Sequence, residues 1–154
     1  MSKEIERKYL VTDNSYKEAA IKTLYRQGYL SSSRDRVVRV RVTDNSAYIT
    51  VKGPNSGCTR SEYEYEIPYE DGVDLIDNLC EKPMIVKYRY KLKHQGFIWE
   101  IDEFLGENKG LIIAEIELKE DKQDFPMPRW VGKEVTDDAR YYNSNLIKKP
   151  YIMW

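Results

Sequence analysis

At 154 residues the chain is long enough for one domain, residues 1–154, around a single sizeable core. Its 25 Lys and Arg nearly cancel 26 Asp and Glu, and a net charge of -1 argues against a nucleic-acid coat or a membrane-surface binder. Two cysteines, Cys58 and Cys80, make no disulfide framework; no apolar run could span a bilayer, and the start is charged from Lys3, so a reduced, soluble, cytoplasmic chain is expected.

The first element is a strand carrying Glu4-Ile5-Glu6-Arg7-Lys8. Alternate side chains of a strand share a face, so Glu4, Glu6 and Lys8 point one way and Ile5, Arg7 and Tyr9 the other. Two carboxylates at i and i+2 stand roughly 7 Å apart, too far to share a proton and close enough to share a metal ion. Ser15 with Glu18 reads as a capping box that opens a short helix to about Leu24. Extended structure resumes at Arg26-Gln27-Gly28-Tyr29-Leu30. Arg36 to Val42 sets Arg39 and Arg41 against Val38, Val40 and Val42, and Asp44-Asn45-Ser46 turns the chain into a strand ending at Lys52.

After a loop at Gly53–Gly57, the strand Arg60 to Ile67 sets Arg60, Glu62, Glu64 and Glu66 against Tyr63, Tyr65 and Ile67. Val73, Ile76, Leu79 and Cys80 have helical spacing, which predicts a helix over about Asp71 to Glu81. Three further strands follow. They oppose Lys87, Arg89 and Lys91 to Val86, Tyr88, Tyr90 and Leu92, then Glu100 and Asp102 to Trp99 and Ile101, then Glu115 and Glu117 to Ile112, Ala114, Ile116 and Leu118. Phe125-Pro126-Met127-Pro128-Arg129 can be neither central strand nor helix. Thr136 with Asp137 and Asp138 is expected to cap a last helix to about Ile147. The outline is α+β: eight strands, mostly antiparallel, with two or three short helices.

A charged face opposite an apolar one is the ordinary solvated side of an antiparallel sheet. Two features favour another arrangement. The charges come as like-charged doublets (Glu4/Glu6, Arg39/Arg41, Glu62/Glu64, Lys87/Arg89, Glu100/Asp102, Glu115/Glu117), and the doublets are sorted by strand into acidic and basic sets. Eight strands can close into a barrel. With the charged face inward, one half of the lumen would suit hard divalent cations and the other phosphates. A linear triphosphate with Mg2+ or Mn2+ answers both halves, and phosphoryl transfer to water needs chiefly positioning and charge neutralisation. No Gly-rich phosphate loop, Ser/His/Asp set or nucleophilic Cys is visible, and the single His94 lies near a turn and reads as a surface residue.

The same residues resemble the CYTH, or triphosphate tunnel metalloenzyme, superfamily. Glu4-Ile5-Glu6-Arg7-Lys8 matches its ExExK signature; Arg26 to Leu30, Arg39/Arg41, Lys52, Glu62/Glu64, Lys87 to Tyr90, Asp102, Glu115 to Glu117 and Glu134 to Tyr141 follow in the family's order over nearly the whole chain. The resemblance implies a closed eight-stranded antiparallel tunnel with a few short outer helices. Glu4, Glu6, Asp102, Glu115 and Glu117 match the metal-binding positions. Lys8, Arg39, Arg41, Lys52, Lys87 and Arg89 match the phosphate-binding ones, and Arg60 joins them as a candidate substrate contact. Glu4, Glu6, Lys8, Glu62, Glu64 and Lys87 are the candidate catalytic residues. Glu100 should also line the tunnel, and Tyr29 resembles a tyrosine of the short bacterial members, at the tunnel mouth or in ordinary barrel packing.

Compact length and the Arg-Gln-Gly-Tyr-Leu stretch look most like bacterial inorganic triphosphatases. The expected activity is therefore metal-dependent hydrolysis of inorganic triphosphate to diphosphate and phosphate. The alternatives are another triphosphate (thiamine triphosphate or ATP), an adenylate cyclase, or a polyphosphate- or nucleotide-binding module without turnover. The expected partner is a small polyanion, not nucleic acid or membrane. A homodimer is compatible but would need a surface other than a sheet edge, because a closed barrel has none.

Overall fold

Alternation of apolar and charged residues gives each strand two faces, and the curl of the sheet puts the charged face inside. The computed structural model describes residues 3–154. Nine strands, β1 (Lys3–Val11), β2 (Ile21–Ser33), β3 (Arg36–Val42), β4 (Ala47–Lys52), β5 (Thr59–Ile67), β6 (Ile85–His94), β7 (Phe97–Phe104), β8 (Ile112–Glu117) and β9 (Val131–Glu134), pair antiparallel in the order β5-β4-β3-β2-β6-β7-β8-β1-β9. A further β1–β5 pairing closes the first eight into a barrel.

The barrel closes unevenly. Only Lys3↔Ser61, Glu4↔Arg60 and Ile5↔Thr59 join β1 to β5. Farther along the same edge, β1 pairs instead with β9, through Tyr9↔Glu134 and Val11↔Val131. The expected eight strands thus gain a ninth, which fills the edge of β1 that the barrel leaves free. Its four residues are too few, with Gly132 among them, to carry a legible alternation.

Helices correct the sequence expectations in three places. The helix expected from Ser15 to Leu24 is one 3-10 turn, Ser15–Glu18, with no capping box; Asp13 Oδ1 accepts instead from the Ser15 amide at 2.8 Å. From Ile21 the chain is already strand, because β2 must run 13 residues to pair with both β3 and β6. The second helix, α1 (Tyr69–Asn78), starts and stops two to three residues before its expected bounds. The last helix splits into a 3-10 turn, Ala139–Tyr141, opened by Asp138 accepting from the Arg140 amide, and the four-residue α2 (Asn143–Leu146). No helix among the described residues is long and apolar enough to cross a membrane.

Apolar packing lies mostly outside the barrel. Tyr9, Tyr16, Tyr90, Trp99, Ile101, Ile116 and Trp130 form one cluster behind β1, β6, β7 and β8. Helix α1 covers Val40, Val42 and Ala47 on the outer face of β3 and β4. A third cluster closes one end of the lumen. There the inward rows turn apolar at Tyr29, Val37, Ile85, Phe104 and Ile113, and meet Val135, Tyr141, Leu146 and Ile147 of the C-terminal segment. The barrel is a cup with an apolar floor and a charged wall.

Candidate active site

The wall encloses a cavity of about 400 Å³. Glu4, Glu6, Lys8, Tyr29, Arg39, Arg41, Lys52, Arg60, Glu62, Glu64, Lys87, Arg89, Glu100, Glu115 and Glu117 all line it. Each sits at an inward position of its strand, as period-two alternation requires. Tyr29 is buried near the floor, its hydroxyl accepting from Gln27 Nε2 at 3.3 Å, so it packs in the barrel. His94 ends β6 and does not line the cavity, and Cys58 and Cys80 are free thiols.

Register sorts the charges into pairs across the wall. Lys52 faces Glu62, Lys8 faces Glu115, Lys91 faces Glu100 and Arg89 faces Asp102. The ion pairs follow: Lys8 Nζ lies 3.2 Å from both Glu6 and Glu115, and Lys52 Nζ lies 3.1 Å from Glu4 and 3.3 Å from Glu62. Arg39 reaches Glu64 at 3.3 Å, and Thr50 Oγ1 donates to the same carboxylate at 2.7 Å. Arg60 donates twice to the Gly53 carbonyl, at 3.0 and 2.8 Å, which pins the loop after β4.

Asp102, expected with the metal-binding carboxylates, is covered by cations and is not among the residues that line the cavity. It is 1% exposed, at an inward position of β7 beneath Lys87 and Arg89. Its Oδ1 accepts from Arg89 Nε at 2.8 Å; its Oδ2 accepts from Arg89 at 2.9 Å and sits 2.7 Å from Lys87 Nζ. Burial opposes its negative charge, but Arg89 and Lys87 outweigh that and hold its carboxyl well below the usual range. Both oxygens are taken up by cations. Lys87 is also 1% exposed; burial drives its pKa down to about 7, Asp102 opposing the shift and the Arg89 and Arg41 charges adding to it.

At two rungs the register sets like against like, Glu6 opposite Glu117 and Glu100 opposite Glu115. Facing like charges destabilise a sheet. Burial raises the pKa of Glu115, and the neighbouring Glu6 raises it further against the pull of Lys8; Glu117 is raised by burial, then by Glu100 and Glu6. Glu4 is held the other way: burial opposes its charge, but Lys52 together with a hydrogen bond shared with Glu6 lowers its pKa overall. Among the described residues no three Asp, Glu, His or Cys side chains converge closely enough to grip a metal ion, since lysines stand between the carboxylates. The donor set, all carboxylate oxygen with Glu6 set against Glu117 and Glu100 against Glu115, fits a hard divalent cation.

Several lining residues had no signal in the charge pattern. Tyr25 lies between two guanidiniums, with Arg41 and Arg89 at 4.8 and 4.9 Å from its ring centre. Tyr48, Thr136, Tyr142, Asn143 and Ser144 also reach the cavity, the last four from the C-terminal segment. Lys87 Nζ donates to Asn143 Oδ1 at 2.8 Å.

A closed antiparallel barrel with paired acidic and basic sets turned into its lumen defines a class, and the sequence match agrees: the CYTH domain model spans residues 2–151, and the chain belongs to that family. Over 151 residues it is 54% identical to an inorganic triphosphatase of Acetivibrio thermocellus, covering 98% of this chain and 97% of that one. An inorganic triphosphatase of Nitrosomonas europaea is 37% identical over 147 residues, covering 93% of this chain and 95% of that one. A crystal structure of an inorganic triphosphatase superposes with a TM-score of 0.68 at 32% identity, over 96% of this chain and 95% of that one. HpAC1 of Hippeastrum, 18% identical, shares the fold alone, with a TM-score of 0.60 over 76% of this chain and 80% of that one.

Proposed function

We propose that the chain is a metal-dependent inorganic triphosphatase that hydrolyses triphosphate to diphosphate and phosphate in the barrel lumen. The observation that carries this is one cavity lined by sorted acidic and basic sets, in a chain 54% identical to an inorganic triphosphatase. The lumen is close to charge balance, so a polyanion arriving with divalent counter-ions adds little net charge. Arg39, Arg41, Lys52, Lys87 and Arg89 spread and orient the phosphates, with Arg60 fixing the loop beside them. Glu4, Glu6, Glu115 and Glu117 would hold Mg2+ or Mn2+. Bound there, the ion would supply charge neutralisation and activation of the attacking water.

Lys8 is the hinge between the sets. Its ammonium lies between Glu6 and Glu115, two of the carboxylates that would hold the ion, and borders the same cavity as the basic set. Burial opposes its charge, but Glu115 and Glu6 raise its pKa overall, so it remains cationic. Glu62 and Glu64 orient Lys52 and Arg39, and Asp102 serves Lys87 and Arg89 in the same way. A module that only bound anions would gain nothing from Glu6 opposite Glu117, which favours turnover over capture. The free thiols suit a reducing compartment, and we place the enzyme in the cytoplasm with a small polyanion as its partner.

The test is phosphate release from inorganic triphosphate, thiamine triphosphate and ATP in parallel, with Mg2+, with Mn2+ and with chelator. The expected result is metal-dependent release, fastest from inorganic triphosphate. Faster release from another substrate would move the specificity, and tight triphosphate binding with no release would mean a binding module.

A further inference from the structure

Strand β2 runs between β3 and β6 and so separates two lumen cations, Arg41 and Lys87. Gln27 of β2 stands opposite Arg41, and Tyr25, two residues earlier, stands opposite Lys87. Gln27 is fully buried and uses both ends of its amide. Its Oε1 accepts from Arg41 Nε at 3.2 Å, and its Nε2 donates to Asn143 Oδ1 at 2.9 Å. The same Asn143 oxygen accepts from Lys87 Nζ at 2.8 Å. Chemistry fixes both amide orientations. Inverted, Asn143 would turn an NH2 on the Lys87 ammonium, and Gln27 would turn one on the Arg41 guanidinium.

Charge neutralisation does not require this chain, because Asp102 already lies 2.7 Å from Lys87. A neutral amide oxygen adds direction without cancelling the charge. We propose, resting on the triphosphatase assignment above, that Asn143 and Gln27 are positioning residues that lock Lys87 to Arg41 across β2 and tie both to the C-terminal segment. An ammonium has three N–H donors. Asp102 and Asn143 take two, and the third is left for a phosphate oxygen. Without Asn143 the head group can turn on its flexible stem. Ground-state affinity is shared among several cations, so the loss falls on the geometry of the reacting complex.

Steady-state kinetics on inorganic triphosphate with Mg2+ test this through a pair of variants. Asn143→Leu keeps the branched shape at Cγ and loses the acceptor, whereas Asn143→Asp keeps an acceptor for both Lys87 and Gln27. Asn143→Leu should lower kcat about tenfold or more with KM within about threefold, and Asn143→Asp should restore kcat to within about threefold of the unaltered chain. Gln27→Met should lower kcat by a similar factor, and combining it with Asn143→Leu should cost nothing further. If Asn143→Leu shows no cooperative thermal melt, Asn143→Ala takes its place with the same expectations. Leu and Asp variants with equal kcat, or additive losses on combining Gln27→Met with Asn143→Leu, overturn the relay while the unaltered chain remains active. An unaltered chain that releases no phosphate overturns the triphosphatase assignment instead.

Discussion

Lys87 and Asp102 are each 1% exposed, and neither could stand alone there. Replacing one member of a buried charge pair strands the other without compensation, at a cost of about 3–5 kcal/mol. Asp102→Asn should therefore lower the melting temperature by roughly 10 °C, since 1 kcal/mol is about 2–4 °C for a chain this size. A metal ligand would behave differently: its loss would leave the metal-free melt unchanged or raise it. Lys87 also sets a pH dependence. With its pKa pushed down to about 7, chiefly by burial, it is charged below that pH and neutral above it. Triphosphate binding measured without metal should weaken as pH rises from about 6 to about 9. Lys87→Arg, always charged, should flatten that profile; an unchanged slope would remove Lys87 from the phosphate contacts.

Helix α1 meets the barrel through glycine. A Cβ on Gly72 would lie 2.4 Å from the Ala47 Cβ, and one on Gly28 would lie 2.8 Å from the Cys80 Cβ. Alanine in a helix normally gains about 1 kcal/mol over glycine, yet Gly72→Ala here should destabilise by about 1–3 kcal/mol because the helix must lift from β4. A thermal melt reads the sign directly, and a stabilised variant would contradict the packing described. Elements were legible where a pattern ran long enough to dominate. The alternating doublets of β1, β3, β5, β6, β7 and β8 placed those strands, whereas Ser15 with Glu18 matched a capping box and masked the start of β2. Strand β9 exists because β1 has a free edge beyond Ile5, a fact of the closed sheet that no local sequence records.

For the whole molecule, the charge pattern and the family motif located the lumen. What stayed hidden were uncharged residues, and those arriving from outside the strands. Gln27 and Asn143 are single neutral amides with no period to betray them. The burial of Asp102 was equally hidden: its doublet partner Glu100 lines the cavity, while Asp102, one inward position deeper on β7, is covered by Lys87 and Arg89. The division of the lumen into a metal-holding acidic side and a phosphate-holding basic side is most directly tested with Glu6→Gln. That change keeps size and removes one charge from the Glu6–Glu117 rung. Turnover of inorganic triphosphate with Mg2+ would be measured alongside calorimetric binding of triphosphate to the same protein. We predict that turnover is lost while triphosphate binds as tightly as before or more tightly. Full metal-dependent turnover by Glu6→Gln would contradict the division of roles.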